Sequence, residues 1–421
     1  MNDEGYENKR GAFSKAEDRS IEQQELDYSK IRRKIDLQLL PLTSIGFFLL
    51  NLSRACFANA LELNNDEDGA TMKEQLSITD ARYSQLIMVY TGVFIAFELP
   101  SNLFLKWFGA RQHLSRIAVG WGIVGICGAA PTDYEGMAVN RLFLAVTQAG
   151  YVPCVFTVFG TWYSEAERAL RFAIFVAAAI LSSAFSGLIA TGCSFLNGKA
   201  HLAGWRWLFI VTGGCDAAQL SSSHSCPGIP SVLIGVTIFF LLPNSPETAA
   251  FLTEEEKSAV ARRVGNSKQP SKRDSVFSTA TTKDTHFDIQ DIFVVLKDWT
   301  FWYMTFMYIL VVMSSIPVAL FLPSLIASLG FRGINTQLMT IPVSVFTCIC
   351  TLLSGWASDK AKNRPVFIAS GLLIVAVGYI MFVLITQAIA GQIVALFLCS
   401  LGPAAEIPMA AYALTHQNHK G

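Results

Sequence analysis

The chain is 421 residues long, 52% hydrophobic and 15% charged, with 30 Phe and a mean hydropathy of +0.41. Soluble domains carry about 25% charged residues, so the composition excludes an ordinary soluble enzyme. The 32 Lys and Arg balance the 32 Asp and Glu, which leaves no net charge to draw the chain to nucleic acid.

Residues 1–36 contain eight basic side chains and no apolar core, so they read as a disordered cytoplasmic tail and not as a signal peptide. Beyond them, a bilayer core about 30 Å thick takes about 20 helical residues. Ten stretches approach that length: 37–56, 83–104, 117–130, 137–160, 172–195, 207–242, 300–326, 338–357, 366–386 and 393–414. The sequence predicts an all-α integral membrane protein: a six-helix bundle over 37–242, a polar cytoplasmic linker over 243–299, an incomplete bundle of four helices over 300–414 and a tail over 415–421. With the N-terminus inside, 25 of the 32 basic residues fall in inner segments and 5 in outer loops, the bias that sets an N-inside topology. The nine cysteines lie mostly in apolar runs and read as small membrane-helix residues.

The sixth stretch is 36 residues long, and 14 of them, 215–228, are mostly polar. Lipid would not accept that run. Without it 22 residues remain, one normal span, so 215–228 reads as an insert from a retained intron or a gene-model error.

A repeat crosses the linker. Gly109-Ala-Arg111 follows the second stretch, and Gly355-Trp-Ala-Ser-Asp359 through Arg364 follows the eighth, each a short basic turn in the same slot of its half. Two related halves joined by a long inner loop are the plan of parallel-repeat secondary transporters. These residues resemble the major facilitator superfamily. Phe97-Glu98-Leu-Pro100-Ser101-Asn102, Gly204-Trp205-Arg206-Trp207-Leu-Phe, Leu242-Pro243-Asn244-Ser245-Pro246-Glu247-Thr248 and Phe321-Leu-Pro-Ser through Leu329-Gly-Phe resemble its fungal allantoate permease branch, within the anion:cation symporters. The resemblance implies a two-bundle fold, two further helices beyond Gly421, and proton-coupled symport of small carboxylates such as allantoate, nicotinate or pantothenate. It also implies that Asp359 and Arg364 gate the rocking of helix ends.

Ionisable residues in spans persist where they face a cavity or a partner. Arg54 closes the first stretch and is the candidate carboxylate contact, since a guanidinium offers two parallel donors; a side chain snorkelling to the headgroups is the alternative. Arg141 resembles the superfamily's fourth-helix Arg of proton handling. Seven residues on, where relatives typically carry Glu, this chain has Gln148, and the relatives' Asp-Arg pair is Ser53-Arg54 here. An amide bonds substrate but takes up no proton. Glu98 and Glu406 are then the remaining candidates for coupling; Glu98 stands beside Pro100 and Glu406 between Pro403 and Pro408, and a structural role there is the alternative. Tyr90 and Tyr308 are candidates to line the path, or else pack.

The expected function is secondary transport of a small organic anion, coupled to protons, by a plasma-membrane monomer with a cytoplasmic N-terminus. Its partners are the anion, the proton and the bilayer, with no nucleic acid and no cofactor. The rival reading is a non-transporting membrane sensor or an inactive truncated remnant. No nucleotide loop, nucleophile elbow or metal spacing supports an enzyme or a pump.

Overall fold

In lipid a helix satisfies every backbone group within its own segment, which is why apolar runs of this length become helices. The computed structural model describes residues 3–67, 69–213, 230–266, 297, 299–361, 364–385, 388–406 and 408–409. Of residues 3–27, 359 and 364, among others, only the backbone is described. Among the described residues the regular structure is all helix: α1 (Asp3–Glu62), α2 (Met72–Gln75), α3 (Asp80–Cys127), α4 (Tyr134–Gln148), α5 (Tyr151–Trp162), α6 (Glu165–Ser194), α7 (Gly204–Gly213), α8 (Pro230–Leu241), α9 (Glu254–Asn266), α10 (Trp299–Ser328), α11 (Ile334–Ala361), α12 (Arg364–Leu384) and α13 (Ile389–Cys399).

Among the described residues, eight helical segments are long and apolar enough to cross a membrane: Tyr28–Glu62, Asp80–Cys127, Tyr134–Trp162, Leu170–Ser194, Phe301–Ser328, Ile334–Ser358, Pro365–Leu384 and Ile389–Glu406. The sequence predicts ten stretches, and the difference has two sources. α3 joins the second and third stretches. A straight helix of its 48 residues would be about 72 Å long. Instead Gly109, at φ 74° and ψ 164°, turns it back on itself, so that Ser101 Oγ and His113 Nε2 lie 3.1 Å apart where a straight helix would separate them by about 18 Å. The sixth stretch is divided between α7 and α8, and the 215–228 insert lies outside the described residues. Ser231 Oγ is 3.5 Å from the Thr212 carbonyl, so the residues flanking that segment adjoin.

The sequence predicts disorder over 1–36, whereas α1 is helical from Asp3. Glu, Gln, Lys, Arg and Ala make up half of residues 3–36, and these helix formers let the membrane helix continue outward.

The first half has a continuous core in which Trp121, Trp162, Trp205, Tyr151, Tyr163, Phe159 and Phe175 are almost wholly buried. The second half has smaller clusters, one around Val318, Leu322, Ile326, Val343 and Leu396, another around Val311, Ile368 and Ala405. Leu99, Trp107, Phe240 and Trp299 are exposed, which suits side chains facing lipid.

Two ends of the molecule can be told apart. At the Gly109 end, Asn244 Oδ1 accepts from Arg111 N at 3.0 Å and the Arg111 guanidinium donates to the Phe239 carbonyl. Phe251 stacks on Trp162, and α9 is held to α1 by Lys34–Glu256 at 2.6 Å. Asp36 takes a two-point contact from Arg171 at 3.1 and 2.5 Å. At the Glu62 end the halves meet directly. Tyr83 Oη donates to Leu320 O at 2.8 Å, Ser324 Oγ to Glu62 Oε1 at 3.0 Å, Gly333 N to Asn65 Oδ1 at 2.6 Å and Gln337 Nε2 to Asn59 O at 3.3 Å.

Candidate functional site

Apolar windows end the first span near Cys56, but α1 continues to Glu62, and every residue from Cys56 to Leu63 is buried. Arg54 therefore sits about 12 Å of helix before the Glu62 end. That depth disfavours snorkelling. Its Nε donates to Tyr90 Oη at 2.8 Å and, less directly, to Gln148 Oε1 at 3.4 Å. Tyr90 Oη donates to the same Gln148 oxygen at 2.5 Å, and Gln148 Nε2 donates to Ser53 Oγ at 3.0 Å. The guanidinium also lies over two rings, 5.0 Å from the centroid of Phe94 and 5.3 Å from that of Tyr90.

The carboxamide settles which part of Arg54 is free. With Gln148 neutral, no carboxylate pairs with Arg54 among the described residues. Its fixed contacts use Nε alone, so the two terminal nitrogens keep their donors for something else. Gln148 is completely buried, which places an uncharged, hydrogen-bonded amide beneath a half-buried cation.

The other candidates fall into two groups. Glu98 lies within electrostatic range of Arg54, and Tyr308 within range of both Glu98 and Glu406. Tyr308 thus feels one carboxylate from each half. Neither Glu98 nor Glu406 hydrogen-bonds the protein among the described residues, so neither caps the backbone freed by its neighbouring prolines. Tyr308 does not join the Arg54 group. Arg141 is buried, its Cζ 3.8 Å from the centroid of Phe57 and its Nε without a hydrogen-bond partner among the described residues. The side chains of Asp359 and Arg364 lie outside the described residues.

Sequence reasoning missed Phe94, whose ring faces the guanidinium, and the pair Ser101 and His113. Phe94 lies four residues after Tyr90, one helical turn along the same face, which was the available signal.

Known proteins share this architecture. The sequence profile of the Major Facilitator Superfamily matches residues 43–215 and 222–420. An uncharacterised transporter of Schizosaccharomyces pombe is 30% identical over 373 residues, covering 88% of this chain and 67% of its own length. The major facilitator-type transporter hxnP of Emericella nidulans is 30% identical over 357 residues, covering 82% and 64%, and the MFS transporter prlL of Fungal sp. is 28% identical over 349, covering 82% and 65%. The chain thus spans about two thirds of the length of these curated relatives. Among solved structures, a bacterial homologue of the human lysosomal transporter Spinster, inward-facing and unoccupied, superposes with a TM-score of 0.62 at 13% identity, over 90% of this chain and 74% of that one. The xylose transporter XylE from E. coli, partially occluded and inward-open, gives 0.60 at 14% identity, over 91% and 87%.

Proposed function

Because the chain belongs to the Major Facilitator Superfamily, we propose that it is a secondary active transporter whose cargo is a small organic anion held by Arg54. The carrying observation is the free end of that guanidinium. Tyr90 and Gln148 hold Nε while no carboxylate neutralises the charge among the described residues. A carboxylate on the terminal nitrogens completes a charge-assisted pair in a low-dielectric cavity. Tyr90 and Gln148 orient the cation, and Tyr308 lines the path beyond.

The basic residues of the Gly109 end support a cytoplasmic location for it by the positive-inside rule. The seal at the Glu62 end then corresponds to an arrangement open to the cytoplasm, one of the two states that alternating access requires. Gln148 carries no proton, so Glu98 and Glu406 are the coupling groups, one from each half, while Arg141, Asp359 and Arg364 act in gating. The sequence strings support the reading that the carrier belongs to the allantoate permease branch, and we take its membrane to be the plasma membrane. Gln148 and Ser53, which replace the carboxylates of relatives, favour one rival reading, a membrane sensor that binds the anion without moving it.

Uptake of labelled allantoate, nicotinate and pantothenate at pH 5 and pH 7, into cells expressing the full chain, tests the proposal. Uptake that falls with Arg54→Ala supports it. Uptake of none of the three turns the balance to the sensor, and uptake indifferent to Arg54 removes that residue from the site.

A further inference from the structure

The fourth span is broken in its middle. α4 ends at Gln148 and α5 begins at Tyr151; between them Ala149 is extended, at φ −61° and ψ 137°, and Gly150 is left-handed at φ 87°. Pro153 explains the break, since its ring collides with the carbonyl four residues back and supplies that carbonyl no N–H. The carbonyl four residues back belongs to Ala149. Gly150 makes the turn, and nothing larger fits there: a Cβ would come within 2.1 Å of Ser101 Oγ.

The Ala149 carbonyl is left without its helical donor at a residue only 1% exposed, where water offers little. Ser101 takes the missing place. Its hydroxyl donates to Ala149 O at 2.8 Å, and a hydroxyl has one proton to give. His113 Nε2, 3.1 Å from Ser101 Oγ, must then be a donor, which fixes the Nε2–H form of a buried ring. The order of donation is His113 to Ser101 to Ala149.

We propose that Ser101 and His113 are positioning residues that hold the break in the fourth span, and so aim Gln148 at Arg54. The proposal rests on the reading of Gln148 as part of the anion site. Gln148 is the last residue of α4, and its carboxamide reaches Tyr90, Arg54 and Ser53 from the helix end that the break creates. Apart from Gly150 and Pro153, which shape the break from within, these two side chains brace it from another helix.

Hydrogen exchange on the full chain in lipid nanodiscs, resolved over 134–162, tests this without any substrate. Ser101→Ala and His113→Leu are expected to accelerate exchange of amides 149–152 by about tenfold or more, while Ser101→Thr and His113→Gln, which keep a hydroxyl and an N–H donor, stay within about threefold of wild type. No acceleration by Ser101→Ala, or equal acceleration by all four variants, overturns the proposal. For a carboxylate that the wild-type chain takes up, Ser101→Ala is further expected to raise KM about tenfold with kcat little changed, and Ser101→Thr to restore it. A KM unmoved while exchange rises would separate the break from Gln148 and also refute the proposal. Uptake indifferent to Arg54 would instead refute the anion site and leave the exchange results standing.

Discussion

Arg54 is costly to keep between helices, and its surroundings limit that cost without cancelling the charge. Tyr90 and Gln148 take one N–H, Phe94 and Tyr90 offer ring faces, and the terminal nitrogens stay available. Losing a desolvated charge-assisted pair costs about 2–5 kcal/mol, so Arg54→Ala is expected to raise KM for the transported anion by about a hundredfold. Arg54→Lys keeps the charge but not the planar fork and should recover only part of that loss. Initial uptake rates across a concentration series measure both. Gln148→Glu makes the complementary case. An ionised carboxylate there would occupy Arg54 in place of cargo, and the cation would favour the ionised form. Uptake by this variant should fall about tenfold or more at pH 7 and recover as acid protonates the new side chain, the opposite of a variant that merely misfolds.

Single residues decide where the helices turn, break and clamp. Asn244, from the Leu242-Pro243-Asn244-Ser245-Pro246 string, caps the turn at Gly109, and the chain beyond it leads into α9, fastened to α1 by Lys34 and Glu256. The Lys34 hydrogen bond, followed by the Thr253 backbone N–H, holds the Glu256 carboxyl below its usual range. A carboxylate whose folded pKa is depressed stabilises above its unfolded value, about 4.3, and loses that stabilisation as pH falls through the folded value. With Lys34 half exposed, the contact contributes about 1 kcal/mol or less. Exchange of α9 should accelerate severalfold between pH 6 and about pH 3 beyond the intrinsic pH effect, and Glu256→Gln should show the acid behaviour already at pH 6. The apolar lengths made most of the spans legible in the sequence; a charge within a span drew attention to Arg54, the resemblance to relatives to Gln148, and an aromatic ring within a span to Tyr90. The break at Ala149 was not legible because hydropathy is unchanged across it, although Pro153 and Gly150 carried the signal. Nor was the depth of Arg54, since Asn59 and Glu62 lower the window average while α1 runs on through them. The pairing of Ser101 with His113 depends on the reversal at Gly109, a tertiary fact that no local period contains.

Transport requires the two halves to part at one end as they meet at the other, so the seal at the Glu62 end must be specific yet reversible. Its chemistry suits that demand. Besides the hydrogen bonds between the halves, Asn59 Oδ1, Asn64 Oδ1, Thr336 Oγ1 and Gln337 Oε1 are buried there without partners among the described residues. An unsatisfied buried polar atom costs about 1–3 kcal/mol, and water would satisfy these four once the seal opened. Helix packing offsets the cost while the seal is shut: α6 and α11 approach so closely at Gly187 that a Cβ would lie 2.8 Å from the Gln337 carbonyl and 2.3 Å from Thr340 Oγ1. Two substitutions should therefore move the equilibrium in opposite directions. Gly187→Val drives a side chain into a backbone carbonyl that cannot step aside and should favour the parted state by about 1–2 kcal/mol. Gln337→Leu removes a bond to Asn59 together with an unpaired oxygen, leaving an apolar contact that has less to gain from water, and should favour the sealed state. Ser186 is buried, precedes Gly187 and accepts at 2.8 Å from Asn59, whose carbonyl takes the Gln337 bond, so it lies beside the interface, and Ser186→Cys with a membrane-impermeant maleimide reports its opening. Labelling of that cysteine is expected to run about tenfold faster with Gly187→Val and slower with Gln337→Leu. Equal rates in all three backgrounds would mean that α6 and α11 stay together throughout the cycle and that the seal lies elsewhere.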